Sequence, residues 1–383
     1  MFETSYIELD SHIYGRNLAF LKRSVIGQAE FCSVIKGNAY GHGDKEFIQI
    51  AQNEGVRVFA VFNAFEAYRV RPFLRDGTRL IIMGDIDFPE LYWAIEQGIE
   101  FYVHNMKLLD ETIKASQKVG KPALVHLEIE TGMHRLGIEK ELFSEVLRRI
   151  SKYPDNLKLI ALCTHYAGSE SINNYLRVKK QHKVFENSIK WFRSQEIDPF
   201  IIHAACSAAA VRYKKTLYDM VRIGILQYGF WPSEETFIEY ISKKKKDHSN
   251  PLEGIITWKS RIMSLKDVPL GSYVGYGSSY LTERAKKMAI IPVGYSNGFA
   301  RVLSNQGRVL IHGKRVSVAG TVNMNAITVD VTNIPEVQIG DEVVLIGKQG
   351  DQTITVSSFG DYSNQLNYEL LTRLPMDIPR FIK

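Results

Sequence analysis

Residues 123–130 read ALVHLEIE. Alternate side chains of a strand share a face, so Leu124, His126, Glu128 and Glu130 point one way and Val125, Leu127 and Ile129 the other. The apolar face suits a layer of helices. The opposite face carries one histidine and two glutamates, which are costly to bury unless partners use them. A closed sheet with helices outside and a working mouth at one end meets both demands.

The same unit repeats on either side. Short apolar runs occur at FCSVIK (31–36), VRVFAVF (56–62), LIIMG (80–84), FYVH (101–104), LIALCTHY (159–166), FIIHAAC (200–206) and MVRIGILQYG (220–229), making eight with the first. Amphipathic segments such as DKEFIQIAQNEG, AFEAYRVRPFL and NMKLLDETIKASQKVG separate most of them, and several close on a glycine suited to a helix cap. This pattern predicts an α/β fold with an N-terminal (β/α)8 TIM-like barrel over residues 1–245. A doubly wound open sheet is the alternative. It is weakened by the lack of G-x-G-x-x-G after the first run. KKKKDHSNP (243–251) reads as a solvated loop or linker. Beyond it, WKSRIMSLKDVPLGSYVGYG, KMAIIPVGYS, RVLIHGKRVSVAGTV, AITVDVT and DEVVLIG alternate with Gly and Asp turns. A C-terminal all-β domain over 246–383 is therefore expected, with HGKR turning a hairpin.

The 383 residues are 45% apolar and 23% charged, which fits a soluble globular enzyme and excludes a disordered chain. A net charge of +6 is mild, and the lysine run has no interleaved aromatics, so no nucleic-acid partner is expected. No run of about 18 apolar residues suggests a membrane span. Cys32, Cys163 and Cys206 form neither a disulfide framework nor a zinc pattern. MFETSYIELD lacks the marks of a signal peptide. A cytoplasmic enzyme without a metal is the expectation.

Barrel active sites lie at the C-terminal ends of the strands. Those ends carry Lys36, Asn63, Gly84, His104, Glu128, Glu130, His165, Cys206, Ser207, Arg222 and Gly224. Lys36 could form a Schiff base, bind phosphate or act as a base. It could equally pack its stem and send its amine to solvent. A lone His42 suits a structural role better than a metal. Arg135 follows the strand-five acids and suits an anion site, or a structural ion pair. The small residues of CSAAA and VRIGI let backbone N–H groups approach an anion, so Ser207, Gly224 and Ile225 are phosphate-site candidates. A lysine opposite a phosphate cradle suits pyridoxal 5'-phosphate. Arg222 would face its ring, or pair with a barrel acid.

VIKGNAYGHG (34–43) resembles the cofactor-lysine signature of the alanine racemases, with Gly37 where alanine is usual. ETGMHRLG, CTHYAG, HAACSAAAVR, MVRIGILQYG, VGYGSSY, IPVGYSNG and LNYE resemble further blocks of that family, in family order. The resemblance implies a homodimeric pyridoxal-phosphate enzyme that interconverts L- and D-alanine, or acts on serine or a broader range. It implies Lys36 as Schiff-base lysine and catalytic base. Tyr276 would be the second base, supplied by the partner's β domain. His165 and Arg222 would form a hydrogen-bond chain, and Tyr40, Ser207, Gly224, Ile225 and Tyr368 would hold the phosphate. Arg135, Met324 and Tyr295 would serve the substrate. Glu128 stands where many members carry a carboxylated lysine, and would hold Arg135 in its place. Cys206, Asn323 and Asn325 also depart from the usual residues. A decarboxylase of the same barrel type would need a glycine-rich phosphate loop and a cysteine in the β domain, and this chain has neither. A non-catalytic carrier of the cofactor is usually a lone barrel.

Overall fold

The computed structural model describes residues 3–197, 201–244, 248–363 and 367–383. Its chain divides into two compact units. The first strand, β1 (Ser5–Leu9), stays outside the barrel. Eight parallel strands then close on themselves: β2 (Glu30–Val34), β3 (Val58–Val61), β4 (Arg79–Ile82), β5 (Glu100–Val103), β6 (Ala123–Glu128), β7 (Leu157–Cys163), β8 (Ile201–Cys206) and β9 (Met220–Ile223). Closure is made by β2 against β9, with Cys32 opposite Arg222. Strands β3, β5 and β9 are buried at every residue, as expected when helices cover one face and the barrel interior the other. All eight apolar runs of the sequence are barrel strands. Phe200, at the head of one run, lies outside the described residues, as does Leu366 of LNYE.

The second unit comprises residues 1–13, 38–50 and 254–383. Its main sheet is built on β10 (Ile256–Arg261), β13 (Arg308–Ile311), β14 (Lys314–Ser317), β16 (Glu342–Gln349), β17 (Gln352–Ile354) and β18 (Arg380–Ile382), and β1 joins it between β10 and β18. A smaller sheet holds β11 (Ser264–Val268), β12 (Lys286–Ile291) and β15 (Ile327–Asp330). The predicted hairpin is present. Ile311 faces Lys314, and His312 and Gly313 both take positive φ, the geometry of a two-residue turn matched to strand twist. The unit is β-rich but not purely β, since helices span Val356–Ser363 and Asn367–Thr372. Residues 245–247, where the sequence reading divides the chain, lie outside the described residues. Two stretches N-terminal to that point, 1–13 and 38–50, belong to the second unit, because their strand and turn contacts are made there. No helix among the described residues is long and apolar enough to cross a membrane.

Candidate active site

Lys36 follows β2, whose end is tied down on several sides. The Val34 carbonyl accepts from Gln227 Nε2 and Tyr228 Oη, each at 3.0 Å, and Ser33 Oγ donates to Gln227 Oε1 at 2.8 Å. Directly after Lys36, the Gly37 N–H donates to Glu66 Oε1 at 2.6 Å, while Glu66 Oε2 accepts from Phe62 N. Glu66 sits in the first turn of a helix capped by Asn63. Water reaches the Lys36 side chain. The surrounding protein is still close enough that burial pushes its amine below the ordinary lysine pKa. Arg135 and Arg222 push the same way, against Glu66 and Cys206.

The GNAYG stretch forms a left-handed turn. Gly37, Asn38, Ala39, Tyr40 and Gly41 have φ of 63°, 56°, 50°, 53° and 81°. Left-handed backbone costs roughly 1–2 kcal/mol at each non-glycine residue, so contacts within the second unit must offset it. Asn38 Oδ1 accepts from Asp44 N at 3.1 Å, and His42 Nδ1–H serves the carbonyls of Ala39 and Tyr40, both at 3.0 Å. Arg380 Nη2 donates to the Gly41 carbonyl at 2.9 Å. Burial holds His42 at a pKa of about 3 despite those bonds, so it serves as a neutral turn-former. A Cβ on Gly41 would lie 1.8 Å from the Leu371 carbonyl oxygen. The same turn sets the Tyr40 ring 6.0 Å from that of Tyr368.

The barrel unit brings several expected residues together. Glu128 closes β6 and is buried, with Oε2 unpaired among the described residues. Burial raises its pKa to about 7, against the charges of Arg222 and Arg135. Glu130 instead turns onto its own loop, accepting from the backbone N–H groups of Gly132, Met133 and His134. That loop carries the exposed Arg135 and is closed where Ile138 N donates to the Glu128 carbonyl at 2.7 Å. His165 is held near pKa 3 by burial, reinforced by Arg222, Arg135 and Lys36, and is therefore neutral. Ser207 Oγ accepts from the Gly224 N–H at 3.0 Å, which joins two of the phosphate candidates. Ile225 is buried beside them.

Arg222 is the most constrained of these residues. Nη1 donates to Tyr102 Oη at 2.9 Å and His203 Nδ1 at 2.8 Å, and Nη2 donates to the carbonyls of Thr164 at 2.8 Å and Ala204 at 2.7 Å. All four Nη hydrogens are spent, and Nε–H makes no bond among the described residues. The expected bond to the His165 side chain is replaced by one to the Thr164 carbonyl, one residue earlier.

Within the second unit, Tyr276, Tyr295 and Met324 are exposed at 74%, 41% and 56%. Hydrogen bonds fix the backbone around each of them. Thr321 Oγ1 donates to the Tyr276 carbonyl at 3.1 Å, Tyr295 N to the Asn323 carbonyl at 3.0 Å, and Ser296 N and Oγ to the Met324 carbonyl. Asn325 Nδ2 donates to Ser296 Oγ at 2.8 Å. The Met324 N–H makes no bond among the described residues.

Residues 9–232 match the family described as alanine racemase, N-terminal domain, and residues 255–382 match alanine racemase, C-terminal domain. The chain belongs to the alanine racemase family. The alanine racemase of Leptospira interrogans is 32% identical over 99% of this chain and 96% of its own. That of Methanococcus maripaludis is 31% identical over 98% and 97%. Among solved structures, alanine racemase from D-cycloserine-producing Streptomyces lavendulae superposes with a TM-score of 0.90 at 26% identity, covering 100% of this chain and 98% of that one. The enzyme from Bacillus anthracis, solved with bound L-Ala-P, gives 0.88 at 28%, covering 100% and 96%. For an alanine racemase family member, the residues that the motif reading passed over are Glu66, Glu100, Tyr102 and His203. Glu100 and Tyr102 lie inside β5 and Glu66 in the first turn of a helix, outside the family blocks, whereas His203 opens HAACSAAAVR without a role having been given to it. Period-two alternation from the inward-facing strand ends would have put Tyr102 and Glu100 on one face.

Proposed function

We propose that this protein racemises alanine, with pyridoxal 5'-phosphate as cofactor and two copies of the chain completing each site. The observation that carries the reading is the pairing of Lys36, whose amine is disfavoured in its charged form, with Arg222, whose one uncommitted donor is Nε–H. These residues fit the cofactor. A guanidinium that can only donate suits a ring nitrogen without a proton. Lys36 would hold the cofactor covalently, and Tyr40, Ser207, Gly224, Ile225 and Tyr368 its phosphate. When bound, the cofactor acidifies the α proton of the amino acid it carries. Lys36 Nζ then takes or returns that proton on one face of Cα. Tyr276 Oη, on an exposed loop free to meet a second copy, does so on the other. Racemisation needs a base on each face, and neutral His165 near the mouth avoids adding a third competing cation.

Arg135 and the free Met324 N–H would bind the substrate carboxylate. The expected bond from Glu128 to Arg135 is not made among the described residues, because the Glu128 carboxyl is buried at the end of β6 while Arg135 is exposed on the following loop. Tyr295 and Tyr368 are bulky and favour a small side chain, so alanine leads over serine. A supply of D-alanine for cell-wall precursors, in the cytoplasm, is the role that fits. Incubation with L-alanine in deuterated water tests the reading. Loss of the Cα–H signal with formation of D-alanine and no carbon dioxide is expected. Bound cofactor without exchange would leave a carrier protein and refute it.

A further inference from the structure

The barrel interior holds a continuous file of polar side chains. His126 Nε2 lies 2.7 Å from Glu100 Oε2, His126 Nδ1 lies 2.9 Å from His203 Nε2, and His203 Nδ1 lies 2.8 Å from Arg222 Nη1. Both histidines are fully buried. Glu100 also accepts from Arg79 Nε and Nη2 at 2.7 and 2.9 Å, and Arg79 reaches Glu30 at the barrel's outer end.

The protonation of the file follows from its chemistry. Arginine only donates, so His203 Nδ1 must accept and its proton sits on Nε2. That N–H points at His126 Nδ1, which must also accept, leaving the His126 proton on Nε2 and aimed at the Glu100 carboxylate. Any added proton would set two donors against each other. From Arg222 to Glu100 every hydrogen in the file therefore points away from the mouth. Burial lowers the pKa of both histidines, and the Glu100 carboxyl is kept near 2 by His126 and Arg79 against its own burial. The charged or titratable neighbours of the two rings are Glu100 and Tyr102 on β5, Arg79 on β4 and Arg222 on β9.

Such a core is an expensive way to fill a barrel, because well-packed apolar side chains cost less. Arg222 supplies the reason. It is 5% exposed, and no carboxylate lies within ion-pair distance of it among the described residues. The carboxylate to which its hydrogen bonds lead, Glu100, is two imidazoles away, and the charge of Arg222 is also felt by Glu128. We infer that Glu100, His126 and His203 are positioning residues that hold Arg222 with its Nε–H free and keep it from delivering a proton. The link to the cofactor ring rests on the function proposed above; the direction of the file does not.

Two measurements on the holoenzyme test this. With 15N-labelled histidine, two resonances should show the neutral Nε2–H tautomer unchanged from pH 6 to 9, and each should vanish in the matching variant, His126→Gln or His203→Gln. A protonated ring or an Nδ1–H tautomer at either position overturns the inference, whatever the cofactor does. With cofactor labelled at the ring nitrogen, the wild-type signal should be that of an unprotonated nitrogen that does not titrate in the same range. His203→Leu should shift that signal or make it titrate. His203→Gln, whose amide can accept from Arg222 and donate to His126, should restore it. Ring-nitrogen behaviour in His203→Leu identical to wild type refutes the positioning role. Failure of the wild type to bind cofactor would instead refute the proposed function, leaving the histidine result to stand.

Discussion

Replacing Glu128 with glutamine should change how stability depends on pH. The carboxyl is buried at the end of β6 with Oε2 unpaired among the described residues, and burial moves its pKa from 4.5 to about 7. A folded carboxyl with a raised pKa keeps its proton where the unfolded chain has already released it. Folding is therefore favoured less and less as pH rises from 4.5 to about 7, and the loss is complete above that. A displacement of this size corresponds to roughly 3 kcal/mol. Glutamine has the same shape and no proton to lose, so its stability lacks this slope. Other titrating groups are common to both proteins and cancel in the difference. Urea-unfolding free energies for both, at half-unit steps from pH 5 to pH 8, read it directly. The variant should gain on wild type through that window, by an amount on the order of 3 kcal/mol. Parallel curves, or a wild type that gains with pH, would mean that Arg135 and Arg222 outweigh burial at Glu128 and would refute the reasoning.

Three further outcomes are expected. Gly41→Ala forces a Cβ to 1.8 Å from the Leu371 carbonyl at φ 81°, and should cost more than about 3 kcal/mol, read as a large fall in melting temperature or loss of soluble protein. Glu66→Ala leaves the exposed Gly37 N–H to water and should cost no more than about 1 kcal/mol. It also removes a charge that raises the Lys36 pKa, so amine-reactive labelling of Lys36 should persist to lower pH than in wild type. Tyr276→Phe should retain cofactor binding and lose racemisation, while still washing deuterium into one enantiomer of alanine; full activity in the variant would contradict a two-base reaction.

Strand identity was legible because the barrel strands are short apolar runs bounded by polar ends, and His126 could be placed inward by alternation alone. Partnership was not legible. Nothing in FYVH or FIIHAAC says that Glu100 and His203 meet through His126, because period two gives a face and no cross-barrel register. Lys36 could be singled out as a costly residue, yet the left-handed turn behind it could not, since Asn38, Ala39 and Tyr40 have no local preference for positive φ strong enough to read. Glu130 shows the limit of alternation near a strand end. The strand stops at Glu128, and the next acid turns to its own loop.

The place of β1 bears on how the chain is made. Ser5 pairs with Ser260 and Leu9 with both Ile256 and Ile382. During synthesis this first strand leaves the ribosome well before its neighbours exist, and the whole barrel sequence emerges in between. The barrel can close without β1, whereas the sheet around β1 waits for the last residues. An early, apolar strand with two open edges is then a hazard for misassembly. Faster folding or less aggregation should follow from a permuted gene in which β1 is translated next to β18.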